Sequence, residues 1–349
     1  MKTKVFLREE QKFKEVEITD SNKPEISDEL LSKWENIINV IAELTGAAAA
    51  LIMKINPASI EVFLKNENKN NPYRKGVREP LGDGHYCETT IAKDRAFYVK
   101  NALKNEDWKD NPAINWNMTS YYGLPLNWPD GESFGTICIL NDNIIKLDTK
   151  IKKSLEVFRN LIEDDLQSLL KQQDLKIKSK AIKSSIAGIT FLNMQGEIFY
   201  ANHSFWKMFG HKEAKEIYDD KLTPFDLIPE TEFDKIKKAI EITIEKGEWK
   251  GELKAVKVNG EEIEVQISAS MVRDDNNQPF CMMASFEDIT EKKAQKQKLQ
   301  NQKNRLNFIL EGTDAATWEW NVQSGEISGI INKEKWTEML GYKAEELEP

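Results

Sequence analysis

Ala187-Gly188-Ile189-Thr190-Phe191-Leu192-Asn193, followed by Gln195-Gly196-Glu197-Ile198 and by residues 205–209 closing on Gly210-His211-Lys212, decides how the chain is divided, because it comes back. The second copy reads Ala315-Ala316-Thr317-Trp318-Glu319-Trp320-Asn321, then Ser324-Gly325-Glu326-Ile327, then residues 336–340 closing on Gly341-Tyr342-Lys343. Internal similarity of this kind sets the architecture before any single element does. The first copy runs on to Thr290, whereas only residues 315–349 remain for the second. Half a copy cannot bury enough surface to close a core. The chain therefore reads as part of a longer modular protein, with an effector domain expected in cis beyond Pro349.

Around this repeat, composition sets the class. With 349 residues, 40% of them hydrophobic, the chain has the material for more than one domain core. A net charge of −9 argues against a nucleic-acid partner, which would select a basic face. Cys87, Cys138 and Cys281 are few and widely spaced, which suits reduced thiols in the cytoplasm and offers neither a metal-site spacing nor a disulfide framework. The first ten residues hold no long apolar run, so no signal peptide is expected. The longest apolar stretch, residues 44–53, is too short for a membrane span.

Leu30, Trp34, Ile37, Ile41 and Leu44 recur at steps of four and three, the period of one helical face. Strand-like runs follow at Ala49–Ile55 and 60–64, separated by Asn56-Pro57-Ala58, and again at 121–127 and 134–140. Between the last two, Trp128-Pro129-Asp130-Gly131 reads as a hairpin turn, since proline presets φ and glycine accepts a positive one. Ile151, Leu155, Phe158, Ile162, Leu166 and Leu169 mark a second helix whose pattern continues to Ile177. A stripe that outlasts its domain predicts a coiled coil and a parallel homodimer. The first repeat copy shows strands at 188–192 and 198–200, a helix through Phe205, Met208 and Phe209, and an amphipathic helix at 233–244. Strands at 249–258, 262–271 and 280–286 end it, the first two joined by Asn259-Gly260. Asp288 and Glu291 have the spacing of a capping box, in which Asp288 accepts from the amide three residues on and Glu291 reaches back. Lys292, Lys293, Lys296, Lys298, Lys303 and Arg305 read as the solvated face of a linker helix with a seam of Leu299, Leu306 and Ile309, in preference to a nucleic-acid or membrane contact.

Residues 182–290 resemble a PAS domain on the ordered set Gly196-Glu197-Ile198, Tyr200-Ala201-Asn202, Gly210 and Asp288-Ile289-Thr290. Residues 306–349 resemble the start of a second PAS domain, of the type that opens on a strand like Trp318-Glu319-Trp320-Asn321. Residues 28–172 resemble a GAF domain through Gly82-Asp83-Gly84-His85-Tyr86-Cys87-Glu88-Thr89, Asn127-Trp128-Pro129-Asp130-Gly131 and Phe134-Gly135-Thr136-Ile137-Cys138. The resemblance implies an α+β fold, with antiparallel GAF and PAS sheets flanked by helices and joined by long signalling, coiled-coil helices. It divides the chain into an N-terminal extension (1–27), a GAF-like sensor (28–172), a helical linker (173–181), a PAS domain (182–290), a linker helix (291–305) and a truncated second PAS domain (306–349). Such trains are typical of the sensory halves of bacterial and archaeal histidine kinases and diguanylate cyclases. The expected function is thus sensory input: a small ligand or cofactor binds in the pockets, and Asp288, Ile289 and Thr290 relay the signal to dimeric helices.

In both families a ligand sits between the sheet and the helices or loops on one face, which makes His85, Tyr86, Cys87, Trp108, Trp116 and Tyr122 the candidate binding residues. Trp108 and Trp116 fall in the polar segment 105–117, where they close a pocket mouth or pack the loop onto its sheet. His85 or Cys87 offers an axial ligand to haem, and Cys87 offers thiol chemistry, whereas bilin attachment expects a histidine after the cysteine and here Glu88 follows. Cys138 lies in an apolar strand, where an inert core thiol is expected. The segment 230–247 has no histidine for haem and 219–231 no cysteine for a flavin adduct, while His203 and His211 read as surface or helix-terminal residues. No phosphate-cradling loop, paired-carboxylate metal signature, kinase or cyclase motif is present, so no catalytic residue, metal ligand or specific cofactor is assigned. Two alternatives stand beside the ligand sensor: a ligand-free dimerisation and relay scaffold, and a haem- or thiol-based redox sensor at Cys87.

Overall fold

The computed structural model describes residues 1–19, 22–211, 222–312, 317–323 and 327–331, together with Thr337, Met339 and Gly341. The chain divides into two units, Met1–Lys178 and Ser179–Pro349.

The first unit begins with a hairpin, β1 (Lys2–Leu7) and β2 (Lys12–Glu17), in which Lys2 pairs with Glu17 and Leu7 with Lys12. Residues 1–27, expected as an extension, instead bury Val5, Leu7 and Ile18 in a core. Lysines at alternate positions break up any apolar run, so a period of two escapes a search for continuous stretches. Helix α1 (Asp28–Thr45) starts where Ser27 Oγ accepts the Leu30 N–H and ends at Gly46, whose φ is +63°. It buries Trp34, Ile37, Ile38, Ile41 and Ala42, while Leu44, the last residue of the expected stripe, is 57% exposed.

Strands β3 (Ala49–Ile55), β4 (Ser59–Lys65) and β5 (Arg78–Pro80) come next, then helix α2 (Tyr86–Lys93) and strands β6 (Phe97–Val99), β7 (Ser120–Asn127) and β8 (Ser133–Asn141). They form one sheet in the order β5-β4-β3-β8-β7-β6, with every neighbouring pair antiparallel. The β7–β8 turn is closed by the Gly131 N–H donating to Trp128 O at 2.9 Å, with Gly131 at a φ of +87°. A Cβ on Gly135 would stand 1.8 Å from Met53 O, so only glycine lets β8 cross β3 at this distance. Leu51, Met53 and Ile55 face the hairpin and α2; Ala50 and Ile52 face α1 and α3 (Thr149–Ser184).

Helix α3 buries Leu155, Ile162 and Leu166 and is held to α1 by Asp165, whose carboxylate accepts from Trp34 Nε1 at 2.9 Å and Lys33 Nζ at 2.6 Å. The expected linker 173–181 lies within this single helix, where Leu175 and Ile177 are 66% and 58% exposed.

The second unit holds β9 (Gly188–Leu192), β10 (Ile198–Ala201), α4 (His203–Met208), α5 (Phe233–Lys246), β11 (Glu248–Val256), β12 (Glu262–Arg273) and β13 (Pro279–Asp288). Its antiparallel sheet runs β10-β9-β13-β12-β11, and α4 and α5 cover one face with Phe205, Phe209, Ile236 and Ala239. The Asn259-Gly260 turn joins β11 to β12, with Gly260 at a φ of +84°. Helix α6 (Thr290–Gly312) follows, then β14 (Thr317–Trp320) and β15 (Ile327–Ile331). Trp320 pairs with Ile327 as Leu192 pairs with Ile198, and Asn321 accepts the Gln323 N–H as Asn193 accepts the Gln195 N–H, each at 3.0 Å. The described part of the second copy thus repeats the strand pairing of the first. Lys212 of the first copy, and residues 315–316, 324–326, 336, 338, 340 and 342–343 of the second, lie outside the described residues.

Replacing Asp165 by alanine leaves the buried Trp34 indole N–H without its acceptor, at a cost of about 1–3 kcal/mol. Urea unfolding of the first unit should show that loss, and Trp34→Phe in the same background should recover part of it.

Candidate functional site

In the second unit the inner face of the sheet and helix α5 enclose a cavity of about 50 Å³. Alternation along the strands puts Thr190 and Leu192 of β9, Val265 and Ile267 of β12, and Met282, Ala284 and Phe286 of β13 on its wall. Ile236, Ala239, Ile240 and Thr243, one face of α5, close it from the other side. The Thr243 hydroxyl donates to Ala239 O at 2.8 Å, whereas Thr190 Oγ1 is buried with no partner among the described residues. Among the described residues, no charged side chain lines this space. His203 is exposed at the start of α4, and His211 stacks edge-on against Trp206; neither reaches the cavity.

The wall strand β13 leads directly to the exit. Ile289 is buried and its N–H donates to Glu264 O at 2.8 Å, while Thr290 Oγ1 accepts the Glu264 N–H at 2.9 Å. The capping box expected from Asp288 and Glu291 is not what forms. Asp288 still belongs to β13, paired with Val265, and its carboxylate accepts from Thr290 N, two residues on, at 2.9 Å. Glu291 accepts from Gln295 on the helix surface. Lys293 then clamps the first turn of α6 to the sheet through Glu252 at 2.8 Å and Glu264 at 2.9 Å, and its ammonium is held above the usual lysine range by Glu252 first and Glu264 second.

In the first unit a cavity of about 40 Å³ lies between the sheet and α2. Four of the six candidate residues, His85, Tyr86, Cys87 and Trp116, line it, Trp116 being 52% exposed. Trp108 is fully buried behind Tyr86 at 5.1 Å and Phe97 at 5.3 Å, so it packs the loop onto the core. Tyr122 faces the opposite side of the sheet, against the α1 and α3 core. Its neighbour Tyr121 is the one that enters the site, stacked on Tyr86 at 4.8 Å with its hydroxyl 2.7 Å from Thr90 Oγ1 and 3.6 Å from Cys87 Sγ. Strand alternation sends adjacent tyrosines to opposite faces, and the register of β7 gives Tyr121 to the cavity. Cys138 is the second residue missed: its sulfur lies 3.9 Å from that of Cys87.

Glu88 builds this site. It is fully buried, and its carboxylate accepts the N–H groups of Phe6 and Gly82 at 2.9 Å and of Gly84 and His85 at 3.1 Å. Those charge-assisted bonds replace the water that burial removes and fix the loop before α2. His85 Nδ1 stands 3.3 Å from Glu79, while Nε2 is buried with no partner among the described residues. The Cys138 hydrogen bond draws the Cys87 thiol below its ordinary range, and burial pushes Cys138 well above it. Tyr73 and Tyr121 are likewise pushed up by burial. A cavity of this size has no room for a porphyrin.

Residues 186–291 match the PAS domain family. This stretch is a PAS domain. The chain is also similar to the PAS domain of a protein from Colwellia psychrerythraea, at 20% identity over 34% of this chain and 98% of that one, with a TM-score of 0.31. A sensory box histidine kinase/response regulator from Burkholderia thailandensis E264 matches at 18% identity over 37% of this chain and 96% of that one, with a TM-score of 0.30. The PAS domain of the fruit-fly ELK potassium channel matches at 20% identity over 33% and 97%, with a TM-score of 0.28. No curated protein matches the chain. Among the described residues, no helix is long and apolar enough to cross a membrane.

The unpaired hydroxyl gives the PAS domain a testable signature. Thr190→Val keeps the side-chain shape and removes the orphan oxygen, so the ligand-free domain should gain about 1 kcal/mol in chemical denaturation.

Proposed function

We propose that the chain is a sensory input region in which a GAF-like unit precedes the PAS domain, and that a change of packing in the PAS cavity is relayed through Asp288, Ile289 and Thr290 into α6. One observation carries this reading: β13 supplies Met282, Ala284 and Phe286 to the cavity wall and ends at Asp288, two residues before α6 begins at Thr290. A shift of the wall moves Ile289, whose backbone and neighbouring Thr290 hydroxyl are bonded to Glu264 on the adjacent strand. Exposed Leu175 and Ile177 on α3 supply apolar side chains for a parallel homodimer. The downstream effector, in cis, is of the histidine kinase or diguanylate cyclase type, and this region is itself catalytically silent.

The size of the cavity favours a second form of the same reading. Pockets for drug-sized ligands occupy about 300–1,000 Å³. A space of about 50 Å³ takes only a few apolar atoms, which suits a very small ligand or a ligand-free relay.

Filling the cavity tests both. Ala284→Leu places extra side-chain volume on the wall strand, and hydrogen exchange at the amides of residues 289–293 should change by at least about tenfold while α5 stays protected. Asp288→Ala should weaken that response without unfolding the domain. Unchanged exchange at the junction in the filled variant would remove the proposed route.

A further inference from the structure

We propose that Cys87 and Cys138 form a hydroperoxide-reactive dithiol, a modification site that closes to a disulfide when a small peroxide enters the cavity beside them. The inference rests on the first unit and is independent of how the PAS cavity is used.

The two sulfurs lie 3.9 Å apart, one on the first turn of α2 and the other on β8. A disulfide needs about 2.0 Å between them, so the sulfurs must approach by a little under 2 Å, about the reach of side-chain rotation. Both line the same cavity of about 40 Å³, which holds a molecule of about two or three heavy atoms. That suits hydrogen peroxide. His85 Nε2, buried and unpaired among the described residues, joins Glu79 and Asn111 as polar groups on a wall otherwise made of sulfur-bearing, aromatic and aliphatic side chains. Glu79 and half-exposed Trp116 mark the open side.

The pair is asymmetric, and the asymmetry assigns the roles. A thiolate is the attacking form, and Cys87 is the sulfur that sits on the first turn of α2 and accepts from the Tyr121 hydroxyl at 3.6 Å, whereas Cys138 lies within β8. Attack of the Cys87 sulfur on the peroxide forms an S–O bond and breaks the O–O bond. The thiol proton leaves with the departing oxygen as water, and Cys87 becomes the sulfenic acid. Attack by Cys138 on that sulfur forms the S–S bond and breaks the S–O bond, and its proton leaves with the hydroxyl as a second water. In total, two thiols and one hydrogen peroxide give one disulfide and two waters. Cys281, alone in the second unit, has no such partner among the described residues and serves as the internal reference.

The experiment uses the whole chain with hydrogen peroxide as the probe. Thiols are counted after denaturation, and peptides are mapped without reduction. One equivalent should remove two thiols, link the Cys87 and Cys138 peptides within one chain, and spare Cys281, at least about tenfold faster than Cys281 reacts. Dithiothreitol should restore both thiols. Reaction no faster than at Cys281, linkage between chains, or oxidation of Cys87 beyond the sulfenic acid with no linked peptide would each overturn the proposal. In Cys138→Ser, dimedone added with denaturant after the peroxide should trap a sulfenic acid at Cys87; a variant that folds before the treatment yet yields no adduct would overturn the assignment of Cys87 as the attacking sulfur.

Discussion

A sheet that is apolar on both faces has to be covered twice, and the first unit is organised by that requirement. Strands β3, β7 and β8 bury nearly every residue, so neither side can be left to water. Helices α1 and α3 meet the need on one side, fastened by Asp165. On the other side there is no long helix, and the cover is assembled from smaller pieces: the N-terminal hairpin, the short helix α2 and the loop that carries Trp108. A cover made of pieces leaves a gap where they meet, and the cavity between Cys87, His85 and Trp116 is that gap.

The PAS domain solves a different problem. Strands β11 and β12 alternate buried and more exposed residues, so one layer of helix suffices. Its cavity is therefore enclosed between the sheet and α5 and is almost wholly apolar. The polar interactions of functional interest sit at the edge, where Ile289, Thr290 and Lys293 fasten the strand-to-helix exit to β12 and β11. The exit at the end of the cavity wall is fastened by two backbone positions, Glu264 and Ile289, and by the four side chains of Glu252, Glu264, Thr290 and Lys293.

Much of this was legible. Continuous apolar runs gave β3 and β9 to the residue, and glycine-bearing turns at 128–131 and 259–260 placed the hairpins correctly. The repeat also foretold the pairing of β14 with β15, because the asparagine that shapes the turn recurs with it. Elements without an apolar signature were not legible. Helix α2 is buried along its length, yet Glu88, Thr89 and Thr90 give it a polar appearance, and β1 and β2 hide their inward residues between lysines. Of the expected binding residues, His85, Tyr86, Cys87 and Trp116 line the first-unit cavity, while Tyr121 in place of Tyr122 faces it and Cys138 joins it, since which strand faces share a cavity is decided by tertiary register. The capping box failed because strand pairing held Asp288 for one residue longer than its local spacing implied.

Glu88 carries one more implication, for anyone who shortens the chain. Its carboxylate accepts the N–H of Phe6, far upstream in sequence, so the N-terminal hairpin is part of what satisfies and covers this buried group. Trimming the hairpin as a dispensable leader would strip Val5 and Leu7 from the core and admit solvent to the acid, and the helix bearing Cys87 would lose its footing. A shortened version of this unit therefore has to keep the hairpin of β1 and β2.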